Sequence, residues 1–316
     1  MRPSECYVEV GTNKQIAPEY FSMRLVGPAR LARFRPGQFL MLGWTEGRDP
    51  LLPRAMSIRR VRQFTVSSFK FRVAKPQTRN PKPETRIAEV EILYKVCGRG
   101  TALLAAMRPG RLLRVLGPLG NGFEVPRKAM DIVLIAGGVG VPPIAALVET
   151  LADRAAARRS AVTVLLGGRS KADLLCVSDL RRAGATVHVA TEDGSAGHKG
   201  LVTELLEEFL GTSHLAPSAK SPRSPLLKRG VGGIYACGPY PMLAAIAPIA
   251  DQYGLPYHAS LEANMACGFG ACMGCVVPMK GDKEKRTYRL VCKDGPVFDS
   301  REILWNEHKT GVGGWG

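Results

Sequence analysis

The sequence predicts an α+β multidomain protein. A small antiparallel β-barrel comes first, then an α/β domain on a parallel sheet, then a small cysteine-bearing C-terminal domain. Three observations carry this reading. Up to about residue 125 the chain is a series of short β-runs separated by turns. From about Asp131 apolar runs alternate with helical stretches. Four of the eight cysteines then crowd between residues 267 and 292. The expected domains are residues 1–126, 127–261 and 262–316, and a chain of 316 residues is long enough for two or three cores.

In the first domain the expected strands are Tyr7–Val10, Phe21–Leu25, Gln38–Trp44, Ser57–Arg62, Phe64–Val73, Val90–Val96 and Arg111–Leu116. Strands at such close spacing suit a small barrel. One helix interrupts them at Ala102–Met107, with Thr101 expected as its N-cap and Pro109-Gly110 as its stop. In the second domain the strands Ile132–Ala136, Val162–Leu166, Val187–Ala190, Ile234–Ala236 and Tyr257–Ser260 are apolar runs. Helices are expected at Pro143–Leu151, Leu201–Leu210 and Met242–Tyr253. Continuous apolar strands alternating with helices imply an open parallel sheet covered on both faces.

Cys267, Cys272, Cys275 and Cys292 are spaced C-x4-C-x2-C-x16-C. The first three follow the thiolate spacing of plant-type [2Fe-2S] sites. Gly268, Gly270 and Gly274 lie between them, and glycine lets a short loop wrap a cluster and aim N–H groups at its sulfurs. A structural zinc site is the alternative, but zinc usually takes paired short knuckles, which the long gaps and the glycines fit poorly.

The remaining cysteines, Cys6, Cys97, Cys176 and Cys237, stand singly among apolar neighbours, as reduced thiols do. No secretory leader is read at Met1–Val8, and the apolar run Ile132–Val148 is broken by glycines and prolines. A cytoplasmic protein without a membrane span is therefore expected. The net charge of +17 invites a nucleic-acid reading. Much of the excess lies in two Pro-rich basic stretches, 74–89 and 212–230, with no interleaved aromatics and no nucleic-acid motif. They read as solvated surface insertions, and no nucleic-acid partner is expected.

Three further motifs point to nucleotides. Arg54-Ala55-Met56-Ser57 enters a barrel strand and offers a phosphate ligand with a small hydroxyl three residues on. Leu93-Tyr94-Lys95 ends a later strand, and Gly98-x-Gly100-Thr101 opens the helix, where free N–H groups favour phosphate. Each alone is ordinary turn chemistry; in this order within one barrel they suit a flavin dinucleotide. The loop containing Gly137, Gly138 and Gly140 follows the first parallel strand, and Cys237-Gly238-Pro239 closes a later one. Both fall at carboxyl ends of strands, where open α/β sheets bind ligands. Cys237 reads equally as a buried small side chain or as a neighbour of a nicotinamide.

Barrel, nucleotide sheet and cysteine segment in this order resemble the ferredoxin–NADP reductase superfamily. Within it the chain is similar to the electron transfer subunits of class 1B dihydroorotate dehydrogenase. The matching pieces are Arg54–Ser57, Leu93–Lys95, Gly100-Thr101, Gly117–Gly122, Ala136–Gly140, Cys237–Pro239 and the tail Val291–Asp299. The resemblance implies FAD on Arg54, Ser57, Leu93, Tyr94, Lys95, Gly100 and Thr101, with Ala55 and Met56 alongside. It also implies a [2Fe-2S] cluster on the four cysteines, and NAD in the sheet domain. Ala55 departs from the proline frequent there, and Met56 replaces a tyrosine common in the wider superfamily.

The implied activity is oxidoreductase electron transfer in pyrimidine biosynthesis. The implied partner is an FMN-containing dihydroorotate dehydrogenase catalytic subunit, in a heterotetramer of two of each chain. No catalytic acid or base is expected here. Phe269, Met273, Val297 and Phe298 are expected to supply an apolar docking rim. An NAD(P)H-linked ferredoxin or sulfide oxidoreductase subunit is the rival within the fold, and a zinc-stabilised binding module the rival outside it.

Overall fold

The computed structural model describes residues 4–45, 47, 49–66, 85–125, 131–158, 161–212, 231–281 and 286–305. Most of the two basic stretches lies outside the described residues.

Six strands form the barrel: β1 (Glu5–Ala17), β2 (Tyr20–Pro28), β3 (Phe39–Trp44), β4 (Arg54–Val66), β5 (Thr85–Lys95) and β6 (Leu112–Leu119). They close in the order β1-β2-β5-β4-β3-β6 with antiparallel neighbours, which removes the sheet edges. Alternate side chains such as Val8, Val10, Met23, Leu25, Leu40 and Leu42 fill the interior without exposure.

Two expectations need correction. Ser57–Arg62 and the described start of Phe64–Val73 are not separate strands, and residues 67–73 lie outside the described residues. Gln63 and Phe64 stay extended and pair with Ala88 and Ile87 of β5, so β4 runs unbroken to Val66. Thr101 is not the N-cap of α1 (Arg99–Ala105) either. Gly98 holds that position, and the Thr101 hydroxyl, one turn on, accepts the Cys97 and Gly98 N–H groups at 3.0 and 3.2 Å. It thereby satisfies the turn from inside the helix.

The second unit holds β7 (Asp131–Gly137), α2 (Val141–Arg158), β8 (Val162–Gly168), α3 (Val177–Arg182), β9 (Thr186–Thr191) and β10 (His198–Lys199). It continues through α4 (Val202–Thr212), β11 (Val231–Cys237), α5 (Tyr240–Gln252) and β12 (Tyr257–Ser260). Along β7, Ile132, Leu134 and Ala136 enter one core while Val133 and Ile135 enter the other. This is the alternation of a strand buried on both faces. The C-terminal segment adds a hairpin, β13 (Val276–Lys280) with β14 (Arg286–Leu290), and then β15 (Val297–Asp299).

β15 returns to the nucleotide sheet. The order is β10-β9-β8-β7-β11-β12-β15, parallel except for β15, which pairs antiparallel with β12. Among the described residues, no helix is long and apolar enough to cross a membrane.

Candidate functional site

Three features converge on the mouth of the barrel. The first is the cysteine loop after β12. Gly268 and Gly270 take φ of 82° and 92°, which side chains with a Cβ rarely adopt. They fold the loop so that backbone N–H groups face sulfur. Burial alone raises the Cys267 thiol, but N–H groups of Cys272, Phe269 and Ala271 outweigh it and bring the group down to about 6. Gly274 N–H points at Cys272 Sγ at 3.5 Å, and Cys292 N–H at Cys275 Sγ at 3.4 Å.

Cys272 acts on the Cys267 thiol, and both Cys275 and Cys267 act on the Cys292 thiol, so the four sulfurs interact as one group. Burial, and then Cys275, pushes Cys292 up to about 12. Among the described residues no three His, Cys, Asp or Glu side chains converge as a single metal ion requires. Four interacting thiols with N–H groups aimed at the sulfurs do fit a cluster of two irons.

The second feature is the barrel motif. Arg54 opens β4, lies 5.9 Å over the Trp44 ring and donates to the Leu52 carbonyl at 2.7 Å. Its guanidinium covers Gly100 so closely that a Cβ there would overlap it. A cation thus lies on the first turn of α1, a donor set that suits a pyrophosphate. Met56 is buried, and Ser57 pairs with Phe39. Leu93 turns toward the nucleotide sheet, whereas Tyr94 turns into the barrel core. The Tyr94 hydroxyl donates to Asn13 Oδ1 at 2.9 Å, which leaves its backbone, not its ring, to face a ligand. Lys95 pairs with Glu19 at 3.4 Å and lies 5.2 Å over the Tyr20 ring.

The third feature is the meeting of the two glycine loops. A Cβ at Gly140 would overlap the Cys237 carbonyl, and one at Gly238 would come within 3.1 Å of Gly137 N. Close backbone approach is therefore the reason for glycine at these positions. Pro239 follows as the N-cap of α5. Cys237 is 3 % exposed at the end of β11, with its thiol buried. Burial, with Glu262 adding, pushes it up against a hydrogen bond from Ser260.

Glu262 carries no motif and was not expected at the site. It keeps much of its own surface open, yet it lines a small cavity with Tyr240, Val276, Val277 and Val291. Desolvation there raises its carboxyl above the ordinary range. At the carboxyl ends of β8 and β9, Asp193 accepts the Ser195 hydroxyl at 2.6 Å and N–H at 2.9 Å, and Ser195 Oγ accepts the Lys171 N–H at 2.7 Å. The loops after β8 and β9 are thus tied together through Ser195.

Barrel and cysteine loop touch directly. A Cβ on Gly268 would overlap Met41, whose β3 position pairs with Ala55. Two of the pieces that carry the resemblance, Gly117–Gly122 and Val291–Asp299, also meet. Asn121 donates from its N–H to Gly295 O at 2.5 Å and from Nδ2 to Asp294 O at 2.9 Å. Of the expected apolar rim, Phe269 and Met273 are 51 % and 60 % exposed. Phe298 is buried at 3 % and Val297 is half-buried, because β15 tucks both against the sheet.

Comparisons with known proteins agree with this anatomy. Residues 262–304 match the iron-sulfur cluster binding domain of dihydroorotate dehydrogenase B, and residues 134–247 match an oxidoreductase NAD-binding domain. Those ranges contain the four cysteines and both glycine loops. The dihydroorotate dehydrogenase B (NAD(+)) electron transfer subunit of Desulforamulus reducens is 33% identical over 92% of this chain and 94% of its own. That of Geobacillus kaustophilus is 34% identical over 93% and 96%.

In structure the chain is similar to an NADH-dependent reduced ferredoxin–NADP oxidoreductase, with TM-score 0.69, 25% identity and coverage of 95% and 90%. A ferredoxin NADP+ reductase from Neisseria gonorrhoeae shares the fold, with TM-score 0.55, 18% identity and coverage of 78% and 91%. Barrel, nucleotide sheet and cysteine loop, matched over nearly the full length, place this chain in the family of dihydroorotate dehydrogenase B (NAD(+)) electron transfer subunits.

Proposed function

We propose that the chain passes electrons between the FMN of a dihydroorotate dehydrogenase catalytic subunit and NAD+, through its own [2Fe-2S] cluster and FAD. The observation that carries this is the convergence at the barrel mouth. The cysteine loop rests on Met41 of β3, Arg54 lies one strand away on the first turn of α1, and a Cβ on Gly138 would lie 3.9 Å from the Tyr20 hydroxyl of β2. FAD, when bound, exchanges either a hydride or single electrons, the chemistry that joins a nicotinamide to an iron–sulfur cluster.

The residues assign as follows. Arg54 neutralises pyrophosphate beside Gly100 and Thr101. Ser57 and the backbone of Leu93–Lys95 face the flavin, with Ala55 and Met56 alongside on the same strand, Met56 turned into the barrel core. Gly137, Gly138, Gly140 and Cys237–Pro239 let the nicotinamide dinucleotide approach the backbone. Cys267, Cys272, Cys275 and Cys292 would hold the cluster, which supplies single-electron transfer when bound. No side chain acts as acid or base on dihydroorotate. The four cysteines outside the cluster stand singly, as reduced thiols of a cytoplasmic protein do.

Phe269 and Met273 flank the loop as exposed apolar groups and form the docking rim for the catalytic subunit, in an assembly of two of each chain. The test is reconstitution. The chain alone reduces a dye with NADH and leaves dihydroorotate untouched. With the FMN subunit added, dihydroorotate drives NAD+ reduction. Phe269→Asp impairs that coupling and spares the dye reaction. Turnover of dihydroorotate by the chain alone overturns the proposal.

A second reading has one observation in its favour, the likeness to a reduced ferredoxin–NADP oxidoreductase. It is adopted if ferredoxin, and not the FMN subunit, restores NAD+ reduction.

A further inference from the structure

Arg59 is the most deeply buried charge among the described residues, with a side chain 1 % exposed. It sits on β4, five positions beyond Arg54, where an arginine pair reads as ordinary basic surface. It instead reaches out of the barrel into the nucleotide domain. Its Nη1 lies 3.1 Å from Glu149 of α2 and 3.5 Å from Glu91 of β5, and its Nη2 bonds Asp179 of α3.

The neighbours complete a set of three cations and three carboxylates. Arg60 holds the same Glu149 through Nε, at 2.9 and 3.0 Å to its two oxygens. Arg182 donates to Asp179 at 2.8 Å, and the Ser22 hydroxyl to Glu91 at 3.0 Å. One carboxylate belongs to the barrel and two to the nucleotide domain. A buried guanidinium surrounded in this way is anchored on every side, and removing it breaks the link between the carboxylates of the two domains while Arg60 and Arg182 keep hold of Glu149 and Asp179.

The placement gives this cluster leverage. On one side β4 carries Arg54 and Ser57 just before Arg59. On the other, α2 carries the Gly137–Gly140 loop at its start and Glu149 at its middle. We propose that Arg59 is a positioning residue for hydride transfer: through Glu149 it fixes α2, and with it the nicotinamide loop, against the flavin end of β4. This rests on the assignment of FAD and nicotinamide to those two loops. A planar guanidinium can bridge three carboxylates at once, whereas a lysine ammonium is a single point charge. A shift of about 1 Å between reacting groups costs roughly a hundredfold in rate.

The test is anaerobic rapid mixing of purified FAD-loaded protein with NADH, with flavin bleaching as the readout. Wild type should bleach in a fast phase. Arg59→Lys should retain flavin and bind NADH within about threefold of wild type, while the bleaching rate constant falls roughly tenfold to a hundredfold. Arg59→Met paired with Glu149→Gln should recover part of that rate over Arg59→Met alone, because it restores the balance of charge in the cluster.

Bleaching of Arg59→Lys at the wild-type rate overturns the inference and leaves the cofactor assignment standing. So does a variant that loses flavin but transfers hydride normally in its remaining holoprotein, since that marks a purely structural role. Failure of wild type itself to bleach removes the cofactor assignment, and the inference with it.

Discussion

The barrel meets its two neighbours in opposite ways. Against the nucleotide domain the seam is polar and made by side chains: Arg59 and Arg60 reach Glu149 and Asp179, and the Tyr20 hydroxyl donates to Asp173 at 2.7 Å. Against the cysteine segment the seam is made by glycines. A Cβ on Gly120 would come within 2.6 Å of the Gly295 carbonyl and Pro296, and one on Gly37 within 3.0 Å of Val297. The polar seam is held by a buried guanidinium between three carboxylates, so it fails when a charge is removed or its fork is shortened. The glycine seam is held by close packing, so it fails when volume is added. The comparison predicts two fixed seams with different weaknesses, charge on the nicotinamide side and volume on the cluster side.

The largest effect should come from crowding the glycine seam. Gly268→Val forces a left-handed backbone on a branched residue and drives its Cβ into Met41. A loss of about 2–5 kcal/mol is expected, with iron content at background, read by denaturant midpoint and iron assay. Cys272→Ser is the contrast: an exposed ligand is removed with the seam intact. Iron should fall while flavin content and midpoint move little. Full iron retention in Gly268→Val breaks the comparison.

An intermediate effect tests the ground between the seams. Arg54→Ala should weaken FAD binding by about 1.5–3 kcal/mol, the worth of a charge-assisted contact, and leave iron unchanged. Titration of FAD into apoprotein measures it, and unchanged affinity removes Arg54 from the site.

The smallest effect belongs to the polar seam. Burial raises the Asp173 carboxyl, but the Tyr20 hydroxyl, the Ser170 N–H and Lys95 together hold it below the ordinary range. A depressed folded value means this contact adds stability above the unfolded carboxylate value of about 3.9 and loses it as pH falls through the folded one. Tyr20→Phe should cost about 0.5–1 kcal/mol at neutral pH. It should also flatten the acid side of the stability curve. An acid limb identical to wild type contradicts the assignment.

Much of this was legible in the sequence, and the rest was hidden for physical reasons. Apolar runs such as Ile132–Ala136 declare buried parallel strands, and Tyr257–Ser260 was placed to the residue. The cysteine spacing declares the cluster because ligand geometry constrains local sequence. β13 was missed because Pro278 argues against a strand; β14 pairs with one side of it, and on the other side Pro278 serves as an acceptor, its carbonyl taking the Leu304 N–H at 3.2 Å beside the Met279–Ile303 bridge. β15 is three residues long and leaves no periodic trace. The burial of Arg59 was illegible because its partners Glu149 and Asp179 lie 90 and 120 positions away. Glu262 was missed because its environment is made by segments that only folding brings together.

The pairing of Ser260 with Val297 means that residues 261–296 leave the nucleotide sheet and rejoin it at adjacent positions. The redox module is thus an excursion with closed ends, not a domain strung on a tail. Such a segment can be gained, lost or exchanged between lineages without re-routing the chain around it. Its return strand also covers the backbone edge of β12, which would otherwise be open to pairing with another molecule. Deleting the whole excursion but keeping β15 should therefore preserve solubility, whereas truncation ahead of β15 should promote aggregation, as light scattering would register.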